Sequence, residues 1–147
     1  MFLQIYKPKY KVITKRGKVF LHRLSFPIPG GSIKFHLILN DDVDEPHIHP
    51  WEFTSFLAIG AYKELVDGSI IRHLPFSIVR NDKYRRHKVF LYRFFGIPLP
   101  CVTIGIYSKK IQPWCEHKQL CDGCKPHGHC RDQEYWRNIN PTRKDTT

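Results

Sequence analysis

With 147 residues, of which 41% are hydrophobic and 14% aromatic, the chain is sized for one domain with a packed core and is too apolar for intrinsic disorder. No apolar run is long enough to span a bilayer, and Met1-Phe2-Leu3-Gln4-Ile5-Tyr6-Lys7-Pro8 lacks the basic-then-apolar layout of an export signal, so a cytoplasmic protein with no membrane contact is expected. The net charge of +11 predicts attraction to phosphates and other anions, but charge alone does not specify nucleic-acid recognition, which is the disfavoured reading.

The first third reads as short strands. Phe2–Tyr6, Tyr10–Thr14, Lys18–Leu24 and Ile33–Leu39 are rich in β-branched and aromatic residues, and breaks at Lys7-Pro8, Arg16-Gly17 and Pro27-Ile28-Pro29-Gly30-Gly31 separate them. An acidic stretch, Asn40 to Pro46, then delivers the chain to Pro46-His47-Ile48-His49-Pro50-Trp51-Glu52-Phe53; its carboxylates read as solvated turn residues. Glu52–Ile59 reads as a buried strand. Tyr62–Val66 and Ser69–Leu74 read as a hairpin about Asp67-Gly68. Strands over Pro75–Arg80, His87–Phe95 and Cys101–Tyr107 follow. About ten short strands with regularly spaced turns predict a sandwich or barrel, confined to residues 1–110. Residues 111–140 form a Cys/His-rich extension in which Gln133–Ile139 suits a short helix, and 141–147 read as a flexible tail.

Alternate residues of a strand share a face, so His47 and His49 can aim two imidazoles at one point, a geometry that suits a metal ion. His87, which opens a strand after a turn, is the best candidate for a third ligand. Glu52 is a candidate fourth: its parity is wrong for a regular strand from His49, but Pro50 interrupts the ladder there. Glu64 is a weaker alternative. His22, His36 and His73 read as structural or surface histidines.

His47-x-His49 with a nearby carboxylate, Gly60 eight residues after Glu52, and a later lone histidine resembles the cupin superfamily. A narrower likeness is to small cupin-like proteins of phages and bacteria. The residues that carry it are His47 to Phe53, Ala61-Tyr62-Lys63-Glu64, His87-Lys88-Val89, Pro100-Cys101-Val102-Thr103 and Trp114, within roughly residues 20–115. The resemblance implies a double-stranded β-helix barrel, a jelly roll, with His47, His49, Glu52 and His87 as ligands. It also makes a homodimer plausible. The His49–Glu52 spacing is shorter than in most cupins, and the cysteine-rich extension falls outside the general pattern.

Imidazole and carboxylate ligands suit Fe(II), Mn, Ni, Zn or Cu, with Fe(II) the first choice for oxygenase chemistry. Lys83-Tyr84-Arg85-Arg86-His87-Lys88 sets cations beside the third ligand, and Arg85 and Arg93 share its strand phase, so either guanidinium can anchor an anionic substrate. Trp51 and Tyr62 can stack on a sugar or base, or simply pack the barrel. In the extension, Cys115-x5-Cys121-x2-Cys124-x5-Cys130 can close one tetrahedral structural zinc site, with His117, His127 or His129 able to replace a cysteine. Disulfides or free thiols are the alternatives.

The sequence therefore predicts an all-β protein, a single cupin-like jelly-roll barrel with a short metal-stapled extension. Its leading function is a metal-dependent enzyme on a small anionic substrate, with oxygenase chemistry first and isomerase or epimerase chemistry second. In the second case Glu64 or Tyr62 would move the proton. The alternative is a non-catalytic binding protein for a nucleotide, nucleic acid or protein partner, of the kind a phage-type inhibitor or sponge would be.

Overall fold

The computed structural model describes residues 7–44, 46–82 and 85–110. The predicted strand Phe2–Tyr6, the cysteine site at Cys115, Cys121, Cys124 and Cys130, and the helix over Gln133–Ile139 lie outside those residues.

Eleven strands run in order: β1 (Lys9–Lys15), β2 (Lys18–Ile28), β3 (Gly31–Ile38), β4 (Phe53–Ile59), β5 (Tyr62–Val66), β6 (Ser69–His73), β7 (Ile78–Asn81), β8 (His87–Leu91), β9 (Arg93–Phe94), β10 (Ile97–Pro98) and β11 (Cys101–Ser108). They form a six-stranded sheet, β1-β2-β3-β11-β4-β7, a three-stranded sheet, β6-β5-β8, and the small β9-β10 ribbon. All the strand pairings are antiparallel. Among the described residues there is no helix, hence none long and apolar enough to cross a membrane. The expected all-β fold is what the chain adopts.

Turn chemistry explains the hairpins. Arg16-Gly17, Asp67-Gly68 and Phe95-Gly96 each place two successive residues at positive φ, the backbone that a two-residue hairpin with right-handed strand twist requires. One break was misread. β2 continues through Pro27 to Ile28, opposite Ser32 and Gly31, instead of stopping near Leu24. Proline is tolerated there because β1 ends at Lys9, opposite Ser25, so one side of β2 needs no further ladder donor. Gly60 has a different reason to be glycine. Its φ is +80°, and a Cβ on it would lie 2.7 Å from the Pro100 carbonyl oxygen and 2.9 Å from Cys101 Cβ.

Strand register stacks the interior in layers. Leu21, Ile38 and Cys101 lie side by side on β2, β3 and β11 and join Leu57, Tyr62, Val79 and Leu91 in the apolar core. One step along, the same face carries Arg23, His36 and Thr103 in a row; the next carries Lys34, Gly105 and Ser55. On the outer face, Leu24, Phe35, Ile104, Phe56 and Ile78 are aligned across five strands, partly or largely exposed. The sheet therefore turns apolar residues outward and lines part of its interior with polar ones.

Candidate metal centre

His47 and His49 lie in the segment 39–52 that leads into β4. This segment fills the edge of β8 that β5 leaves open. Asp42 N–H donates to the Val89 carbonyl (2.9 Å), Leu91 N–H donates to Asp41 Oδ1 (2.7 Å), and His47 and His87 exchange backbone hydrogen bonds in both directions (3.1 and 3.0 Å). Residues paired directly across two antiparallel segments point to the same face, so the His47–His87 bridge puts both rings on one side. His49, two residues on, joins them, while Ile48 is buried elsewhere at 2% exposure. The carboxylates of this segment are bonded, not merely solvated as expected. Asp42 and Asp44 hold Lys15 at 2.7 and 2.6 Å, and Asp41 also takes Arg93 at 2.7 Å.

The three histidines converge. Their ring centroids are 4.8 Å (His49–His87), 4.9 Å (His47–His49) and 5.7 Å (His47–His87) apart, and one nitrogen from each lies within 4.8 Å of the others. His87 Nδ1 lies 2.6 Å from Glu64 Oε1. An ionised carboxylate only accepts, so Nδ1 carries the hydrogen and Nε2 is the ring nitrogen left to face an ion. That nitrogen lies 2.6 Å from His49 Nε2. Burial, the neighbouring His87 and His47 rings, and the Arg23 and Lys15 charges all push His49 well below its ordinary pKa, which favours the neutral ring that a metal needs. The donor set fits a divalent transition-metal ion.

Glu64 stands behind this cluster. It is 1% exposed and diagonal across the sheet to both His73 and His87. Its Oε2 meets His73 Nε2 at 2.6 Å, and the Arg85 guanidinium donates to both oxygens at 2.8 and 3.2 Å. Burial alone would raise its pKa; hydrogen bonds from His73, His87 and Arg85 outweigh it and hold the carboxyl well below the usual range. Both Glu64 oxygens are thus engaged, and the side chain stands behind His87 and outside the cavity lining.

A cavity of about 280 Å³ opens beside the histidines. Trp51 and Tyr62 line it, as a substrate-facing role requires. Burial, followed by the Glu64 charge, raises the Tyr62 hydroxyl strongly, so it remains a neutral hydrogen-bond donor. Three other expected residues are placed elsewhere. Glu52 is exposed, immediately ahead of β4, and belongs neither to the cluster nor to the cavity lining. Arg85 is consumed by Glu64, and Arg93 is an exposed partner of Asp41; neither lines the cavity.

Sequence reasoning missed two interior cations, Arg23 in the cavity lining and Lys34 against Trp51. Arg23 Nε donates to His36 Nε2 at 2.8 Å, and the other His36 nitrogen lies 3.4 and 3.5 Å from the Thr103 and Tyr107 hydroxyls. Lys34 Nζ sits 3.5 Å over the Trp51 ring. Burial and then the Arg23 charge lower Lys34 to about 7, while the indole face makes an ammonium tolerable there. Between pH 7 and 10.5 the unfolded chain holds a proton on this residue that the native state has released, so stability rises with pH across that window. Lys34→Met should remove that rise and increase stability at pH 7 by on the order of 1–2 kcal/mol, read by urea unfolding. An unchanged pH slope would contradict this account of Lys34.

No protein-family model and no curated protein matches the sequence. Solved structures do resemble the fold. A cupin-2 domain protein from Rhodospirillum rubrum, 8% identical, matches with a TM-score of 0.58 over 80% of this chain and 82% of its own. A cupin 2 conserved barrel domain protein from Rhodopseudomonas palustris, 10% identical, matches at 0.57 over 74% and 76%. HppE in its Fe(II) form, 9% identical, matches at 0.56 over 69% of this chain and 56% of its own, so the match spans little more than half of HppE. At these identities the likeness is one of architecture: the chain has the cupin fold.

Proposed function

We propose that this cupin-fold barrel binds one divalent transition-metal ion on His47, His49 and His87 and acts as a metal-dependent enzyme on a small anionic molecule. The observation that carries the reading is the meeting of three imidazoles beside a cavity, one of them fixed in its ligand tautomer by a buried carboxylate. Three protein ligands leave coordination positions open. Similarity to an Fe(II) protein supports iron as the first metal to test, with manganese, nickel and zinc next.

When bound, the ion would supply redox or Lewis-acid chemistry to an oxygen-bearing substrate. The chain's own residues do the rest. Glu64 orients His87 and strengthens it as a donor; His73 and Arg85 hold Glu64 in turn. Tyr62 offers a hydroxyl proton to the cavity, and Trp51 supplies a flat apolar wall. Phe53 and Val89 add apolar surface to the same lining.

Oxygenase chemistry requires an open position on the ion. Protein loaded with Fe(II) without air and then exposed to nitric oxide should give the high-spin iron–nitrosyl resonance. His87→Ala should abolish it. Loaded protein that gives no such resonance would favour the isomerase reading over the oxygenase one.

A further inference from the structure

We propose that Arg23 anchors the carboxylate of a small monocarboxylic acid in the cavity, with the rest of the molecule reaching toward His47, His49 and His87. This deepens the reading above by naming the substrate class of the same cavity, and it rests on that reading for the far end of the molecule.

Two lysine or arginine side chains line the cavity, Lys15 and Arg23. Lys15 is matched by two carboxylates, Asp42 and Asp44. Arg23 is matched by none among the described residues. Its hydrogen-bond partner there is His36, which accepts from Nε through a lone pair and brings no negative charge. Outside the cavity, Arg85 and Arg93 each have a carboxylate. Arg23 is thus a half-buried guanidinium in a concave site with its charge uncompensated, a condition that a bound anion relieves.

Geometry narrows the anion. Because Nε is committed to His36, the free edge of the fork is the Nη1–Nη2 side, whose parallel N–H groups match the two oxygens of a carboxylate. Trp51 supplies an independent pointer. It lines the cavity 5.8 Å from the Arg23 guanidinium, and its indole Nε1 is buried with no hydrogen-bond partner among the described residues. A buried donor of that kind can be satisfied by an acceptor oxygen on a ligand. The cavity of about 280 Å³ holds about nine water-sized groups, which limits the acid to a small molecule.

Benzoate, its neutral isostere benzamide, and inorganic phosphate are suitable probes, titrated calorimetrically into the full chain. Benzoate should bind; benzamide and phosphate should bind at least tenfold more weakly. Arg23→Gln should weaken benzoate at least tenfold and Arg23→Lys by less, because it keeps the charge and loses the fork. Arg93→Gln should change nothing. Thermal unfolding of each variant establishes that it is folded, and the benzoate–benzamide contrast on the unaltered chain needs no variant at all. His49→Ala separates the two readings. Benzoate affinity that survives His49→Ala and falls in Arg23→Gln supports the anchor whatever the fate of the metal centre. Affinity lost in His49→Ala but kept in Arg23→Gln overturns the anchor and leaves the metal centre standing. Equal binding of benzoate and benzamide, tighter binding of phosphate, or no binding of benzoate would each overturn the carboxylate assignment.

Discussion

Glu64→Ala should be among the most damaging single side-chain changes in the barrel, lowering stability by about 3–5 kcal/mol and metal affinity by about 10- to 100-fold. The carboxylate is 1% exposed and accepts from the Arg85 guanidinium while meeting a nitrogen of His73 and one of His87. Truncating it leaves a guanidinium without its counter-charge and two buried rings without a partner. The metal effect has a separate cause: His87 loses the acceptor that fixes its tautomer and ring orientation. Glu64→Gln tests that cause. It keeps the volume and one acceptor oxygen but removes the charge, so it should cost less stability than alanine and still weaken metal binding. Urea unfolding and competition with a metal chelator measure the two effects. Unchanged metal affinity in both variants would show that Glu64 only braces the fold.

Acid should destabilise the protein steeply, beginning below pH 6.5. Burial, with the Arg23 and Lys34 charges behind it, lowers His36 from 6.5 to about 3. Between those values the unfolded chain takes up a proton that the native ring refuses, so stability falls as pH falls and levels off below about 3. Glu64 adds a second loss. Its contribution is complete above its ordinary value of 4.5 and drains away below it, as pH falls toward the depressed native value. The His36 part alone is worth on the order of 3–5 kcal/mol. Unfolding free energies measured between pH 7 and pH 3 should show both limbs, and Glu64→Gln should flatten the lower one. Constant stability from pH 7 to pH 4 would contradict the buried placement of these groups.

The parts of this design that are local in sequence were legible there. Hairpin turns announce themselves through glycine at positive φ, as at Asp67-Gly68. Two histidines at alternate positions announce a shared face, and His87 at a strand start completed the set that the structure brings together. What the local pattern does not carry is the choice of face. In β3, Ile33, Phe35 and Leu37 alternate with Lys34, His36 and Ile38, and period-two reasoning puts the apolar set inside. The structure puts Lys34 and His36 inside, because strand parity defines two faces without saying which one the barrel encloses. Nothing local marks Arg23, opposite His36 on β2, as interior either. Arg85 and Arg93 were overvalued because adjacency to His87 in sequence counted for more than the carboxylates of Glu64 and Asp41, which reach them from residues 21 and 52 positions away. The Glu64 network could not be read at all: its partners come from two places along the chain, His73 and the stretch from Arg85 to His87, that only the folded sheet brings together.

Metal stoichiometry is the most direct test of the trihistidine centre. The chain should be prepared with Cys121→Ser and Cys124→Ser, so that the cysteine-rich extension does not contribute, loaded separately with Fe(II) and Zn(II), desalted and measured by elemental mass spectrometry. About one ion per chain is expected, falling to background in each of His47→Ala, His49→Ala and His87→Ala while Glu52→Ala retains it. Retention of the ion by all three histidine variants, or failure of the parent chain to bind either metal, would contradict the account.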